Sequence, residues 1–149
     1  MPSGTIVSEV NATAERTWAV IADFEKAPEW VPDLISVRRL DDGPMGVGSR
    51  FEEVVEMRGR RDTATVTVTE YEPGRVFAHA GESTPARFGG RFEIAPMGDR
   101  CRVVHDWHLE LKGMFKLMSP LASMWVRNNI EGAMAGLERY LASHSRLPD

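Results

Sequence analysis

The C-terminal part of the chain carries a helical stripe that is long for the domain that must hold it. Leu121, Ala122, Trp125, Val126, Asn129, Ile130, Ala133, Leu137 and Leu141 recur at the spacing of one helix face. Ser119 before Pro120 supplies a cap and a first-turn proline, whose missing amide costs nothing at that position. The pattern predicts a helix from about Ser119 to Ser143, roughly six turns or more. A chain of 149 residues forms one domain, spanning residues 1–149. A helix of this length is out of scale for a crossover in such a domain, so the rest of the chain must wrap it.

Upstream, the hydrophobic period is mostly two. Thr5 to Val10 reads as a first strand. Asn11 or Thr13 then caps a short helix with Trp18, Ile21, Ala22 and Phe24 on its apolar face. Pro28 and Pro32 limit Glu29-Trp30-Val31 to a short helical turn. Six more strands follow: Ile35–Leu40, Ser49–Met57, Thr63–Tyr71, Val76–Ala80, Arg87–Ile94 and Arg102–Leu111. The third of these six is the clearest, with Thr63, Thr65, Thr67 and Thr69 alternating with Ala64, Val66 and Val68. Turn residues separate the strands at Asp41–Pro44, Arg58–Arg60, Glu72–Arg75 and Pro96–Asp99. The fold class is α+β: a seven-stranded antiparallel sheet around the long helix, with two short helices between strands 1 and 2. A one-sided sheet of that size must bury its face, and the long helix is the element available to cover it.

Composition removes several classes of function. One cysteine, Cys101, excludes an internal disulfide framework and a Cys-rich zinc site. A net charge of -4 argues against broad nucleic-acid binding. No apolar run approaches the ~20 residues that span a bilayer, and Met1 to Val10 lacks the regions of a signal peptide. The chain reads as soluble and cytoplasmic. His105 and His108 fall on opposite strand faces, so they do not form a metal pair. Gly43 to Gly48 joins two strands and opens no helix, so it is not a phosphate loop. Neither a metal nor a cofactor is expected.

Strand alternation selects the inward side chains. In the last strand Cys101, Val103, His105, Trp107, Leu109 and Leu111 share the apolar face. In the strand before it, Phe88, Gly90, Phe92 and Ile94 do so, and Gly90 leaves space beside two rings. Phe51 and Glu53 point inward by register, although a bulge could turn Glu53 out; left inside, it needs a partner. His105 is either a hydrogen-bonded core imidazole or the donor or acid/base of a site. His79 reads equally well on either face of its strand. Trp125 and Asn129 lie one turn apart on the long helix, where the amide must bond the sheet or a ligand.

Three segments resemble a known superfamily. VNATAERTWAVIADFEKAPEW (Val10 to Trp30) is similar to its first strand, helix and Pro-x-Trp turn. VTEYEPGRV (Val68 to Val76) resembles its fourth-to-fifth strand hairpin, and NNIEGAMAGLERYL (Asn128 to Leu141) its helix end. The superfamily is the START-like, helix-grip SRPBCC group of lipid-transfer domains, plant allergens and polyketide cyclase/dehydrases. The resemblance implies a cavity between sheet and helix that holds a small hydrophobic or aromatic molecule, polyketide-, lipid- or sterol-like. Phe51, Glu53, Phe88, Phe92, Trp107, Trp125 and Asn129 would line it, with His105 as the chemical group if chemistry occurs. It also places Arg58, Arg60 and Arg61 at the cavity mouth, either as a solvated turn or as a basic rim for an anionic ligand or an acidic acyl carrier protein. The alternative functions are a polyketide aromatase/cyclase or dehydratase, with Arg60 or Arg61 nearest to the pocket arginine of such enzymes, and a non-catalytic stress-response or assembly partner. Monomer and homodimer both remain open.

Overall fold

A computed structural model describes residues 3–57 and 59–143. Strand β1 (Ser3–Val10) leads into helix α1 (Ala14–Ala22). The Thr13 hydroxyl caps α1 by accepting a hydrogen bond from the Arg16 amide at 3.2 Å. A 3₁₀ helix (Phe24–Glu29) follows, and then β2 (Leu34–Arg39), β3 (Arg50–Met57), β4 (Arg60–Glu72), β5 (Val76–Glu82), β6 (Ala86–Met97) and β7 (Arg100–Leu111). A second 3₁₀ helix (Gly113–Met118) runs into α2 (Ser119–Ser143).

The seven strands form one antiparallel sheet in the order β1-β7-β6-β5-β4-β3-β2. Strands β1 and β2 are therefore adjacent in sequence but lie at opposite edges. The chain between them must cross the whole sheet, and the two short helices make that crossing: α1 packs against β6 and β7, and the 3₁₀ helix against β2. The remaining connections are tight. Gly74 has φ 80° and the Arg75 amide bonds the Glu72 carbonyl at 2.9 Å, as the Pro-Gly turn requires. Gly98 has φ 69° in the two-residue loop between Met97 and Arg100. Pairing continues right up to such turns, so β4 and β6 extend beyond the expected strands.

Helix α2 lies across the concave face with Ile130, Ala133, Met134, Leu137 and Leu141 buried. Its first turns do not follow the expectation of a uniformly buried stripe. Leu121 is 52% exposed and Met124 61%, while Trp125, Val126 and Asn129 are half-buried. Helical period reveals which face is apolar, but not how far the partner surface extends along it.

The middle of α2 is keyed to the loop before β2. Asn129 donates from Nδ2 to the Pro32 carbonyl at 2.7 Å. A Cβ at Gly132 would touch Pro32 Cγ at 3.0 Å, and one at Gly136 would lie far inside contact with the Trp30 carbonyl oxygen. Asn129, Gly132 and Gly136 thus form a seat on α2 for residues 30–32. Trp30 is 7% exposed and packs edge-on against Phe92, with ring centroids 6.5 Å apart.

Candidate functional site in the concave face

The interior contains two apolar clusters. One gathers Val10, Ile21, Val37, Phe51, Val66, Phe77, Phe92, Val103 and Leu137 with their neighbours. The other gathers Ala86, Trp107, Leu109, Leu111 and Ile130. On β7 the inner row runs from Cys101 and Val103, in the first cluster, to Trp107, Leu109 and Leu111, in the second. His105 stands between them, 7% exposed.

A second histidine joins it there. His79 lies in register with Gly90 on β6, and Gly90 with Trp107 on β7. A Cβ built on Gly90 would sit 3.0 Å from His105 Nε2 and 3.2 Å from His79 Nε2. Both imidazoles therefore lean over the same glycine from neighbouring strands, and even a methyl at position 90 would press both Nε2 atoms back by a few tenths of an ångström. Each ring has aromatic support. His105 stacks on Phe92 with centroids 4.0 Å apart and planes 15° from parallel. His79 meets Phe24 at 5.5 Å and Phe77 at 6.2 Å. The Nδ1 atoms of both histidines are buried, with no hydrogen-bond partner among the described residues.

Burial sets the charge of these groups, because desolvation disfavours the ionised form. It lowers His105 from 6.5 to about 3, with His79 adding to the effect and Asp106 opposing it. It lowers His79 to about 4, helped by His108. Both rings are neutral at pH 7, so each has one donor and one acceptor nitrogen. Glu53 is 7% exposed and turns inward between Val37 on β2 and Ala64 on β4. Burial alone raises its carboxyl from 4.5 to about 7. The bulge that could have turned it out lies elsewhere, between Leu34 and Ser36 on β2.

The other expected lining residues are distributed as follows. Phe51 and Phe92 are buried, and Trp107 is buried with its indole lying across Gly4. Phe88 is half-buried and covers Gly81. Asn129 spends its amide on Pro32, and Trp125 is half-buried at the open end of α2. Arg60 and Arg61 are exposed where β4 begins. Arg58 lies outside the described residues. The pattern of β5 alone does not decide His79, because Val76 and Ala78 are equally consistent with the inner face. Both are indeed buried, but Ala78 lies in register with Arg91, whose guanidinium spans Glu70 and Glu93 at 3.0 and 2.7 Å. The signal that could have decided it was Gly90, a strand glycine with room for a ring beside it. By its period Phe24 belongs to the apolar face of a helix, yet it also packs against Phe51 at 5.0 Å and helps to close the site.

Residues 1–142 match the family described as polyketide cyclase/dehydrase and lipid transport. The chain belongs to that family. No curated protein matches it in sequence. Among solved structures, TTHA0849 from Thermus thermophilus is 21% identical with a TM-score of 0.82, over 97% of this chain and 99% of that one. A START superfamily protein from Mycobacterium smegmatis is 21% identical, TM-score 0.79, over 95% and 97%. The Zhui aromatase/cyclase from Streptomyces sp. R1128 is 17% identical, TM-score 0.80, over 97% and 96%. At these identities the likeness establishes the helix-grip fold of this family member and leaves its chemistry to the site. No helix among the described residues is long and apolar enough to cross a membrane.

Proposed function

We propose that this family member binds a small hydrophobic or aromatic molecule bearing a hydroxyl or keto group, held between α2 and the concave sheet face. The observation that carries the reading is the pair of neutral imidazoles whose Nε2 atoms converge over Gly90, each with a buried Nδ1 that has no partner among the described residues. Buried polar atoms are normally satisfied, and orphans call for an explanation. A polar group on an otherwise apolar ligand supplies one: it accepts from one ring or donates to the other, while Phe24, Phe51, Phe92 and Trp107 contact the carbon frame. Such a ligand matches an aromatic interior with few polar contacts.

A second reading, cyclase or dehydratase chemistry, is favoured by one observation. A proton-transfer group works best with a pKa near the working pH, and Glu53 at about 7 is placed there. His105, at about 3, is a weak base that donates or accepts a hydrogen bond without changing charge. In this reading Glu53 exchanges the proton, the histidines hold the carbonyl, and the exposed Arg60 and Arg61 meet an acidic carrier that delivers the chain.

The test compares naphthalene with 1-naphthol as competitors of a fluorescent apolar probe. A hydrogen bond net of desolvation is worth about 1 kcal/mol, roughly a fivefold preference for the naphthol. That preference should vanish in His79→Phe and His105→Phe while naphthalene still binds. Equal affinity for both in the wild type removes the role of the histidines. Failure of either compound to displace the probe, or of the probe to bind, removes the ligand reading altogether.

A further inference from the structure

We propose that the 3₁₀ helix Gly113–Met118 and the first turns of α2 form a docking surface for an anionic lipid bilayer. The proposal does not rest on the ligand reading above. Most large apolar side chains that stay exposed in a domain are scattered singly and need no explanation. Here five fall within eleven residues of one another: Met114 at 87%, Phe115 at 39%, Leu117 at 88%, Leu121 at 52% and Met124 at 61%. Four of them, Met114, Leu117, Leu121 and Met124, step by three, four and three residues. That is the spacing of one face along a helical path. The face is apolar and no part of the described chain covers it.

Charge identifies the occupant. Between Glu110 and Glu131 the chain has no Asp or Glu, but it carries Lys112, Lys116 and Arg127. This stretch is locally +3 in a protein whose net charge is -4. Lys112 meets Glu82 at 3.0 Å and Arg127 meets Glu131 at 3.4 Å, both at the protein surface, where ion pairs are weak and easily exchanged. An apolar face flanked by cations, on a short helical projection, has the chemistry of an interfacial membrane anchor. A second copy of the chain fits less well, because a two-fold contact would set one +3 segment against another. A folded acidic partner would need a surface shaped around Met114 and Leu117. These side chains stand almost fully free of the domain, and a bilayer accepts them without such a shape.

The experiment is co-sedimentation of the full chain with vesicles of phosphatidylcholine alone and of an equal mixture of phosphatidylcholine and phosphatidylserine. Binding is expected to the mixed vesicles, weakened by added salt. The double variant Met114→Asp, Leu117→Asp should reduce it by about tenfold or more, and Lys116→Glu by roughly fivefold or more. Both variants alter a surface helix away from the buried core, and an unchanged melting temperature verifies the fold. Absence of binding to mixed vesicles overturns the proposal, as does binding that the double variant leaves intact. If light scattering shows a dimer that the double variant dissociates, while vesicles are not bound, the face is a copy-to-copy interface and the proposal fails.

Discussion

Replacing Glu53 by Gln should stabilise the protein, and only above acidic pH. Glu53 is buried, has no ion-pair partner among the described residues, and is raised from 4.5 to about 7 by desolvation alone. A carboxyl whose folded pKa is raised binds its proton more tightly in the native state. Wild-type stability therefore falls as pH rises from 4.5 to 7, and the full penalty persists above that window. At about 1.4 kcal/mol per unit the penalty reaches about 3 kcal/mol at pH 8.5, but stays below about 1 kcal/mol at pH 5. Glutamine keeps the shape and removes the charge. The variant should melt roughly 6–12 °C above wild type at pH 8.5, for a domain of this size. At pH 5 the difference should shrink to a few degrees or reverse, because the buried amide has its own unmet hydrogen bonds. Thermal melts of both proteins across that range measure the difference, and effects common to both cancel. A difference independent of pH would refute the reasoning, and a wild type that is the more stable at pH 8.5 would mean that the carboxylate has found a partner.

The histidines should act in the opposite direction: with folded values of about 3 and 4, they contribute stability above pH 6.5 that is lost as pH falls. His105→Phe, which keeps the stack on Phe92, should flatten the acid side of the stability curve by up to about 1.4 kcal/mol per pH unit; an unchanged acid slope in chemical denaturation would mean that His105 is not buried neutral. Gly136→Ala should lose about 2–3 kcal/mol despite the higher helix propensity of alanine, because the new methyl meets the Trp30 backbone, and it should weaken the Asn129–Pro32 bond. Gly132→Ala meets only the pliable Pro32 ring and should change stability by less than about 1 kcal/mol, so equal melting temperatures for the two variants would contradict the seat on α2.

Much of the architecture was legible in the chain because it depends on local periodicity. The period-two runs, the Pro-Gly and Gly-Asp turns and the stripe from Ser119 to Ser143 each report a conformation that a segment adopts for its own reasons. A one-sided sheet then left the long helix as its cover. The inward row of β7, Cys101 to Leu111, was readable for the same reason, since alternation on a strand allows only two faces. The resemblance carried by Val10 to Trp30 pointed to the family that the sequence match then established.

What needed the tertiary structure were the relations between segments. No local pattern states that β1 and β2 lie at opposite edges of the sheet, which makes α1 and the 3₁₀ helix a bridge across it. Nor does one show where cover ends along α2, because the stripe continues through Leu121 and Met124 while burial begins in earnest only at Ile130. His79 was ambiguous on its own strand; the glycine across from it, eleven residues later, gives its ring somewhere to lie. The charge of Glu53 and of the two histidines is likewise a property of the enclosure. Their ordinary pKa values belong to the residue types, and the shifts come from water excluded by strands and helices distant in sequence.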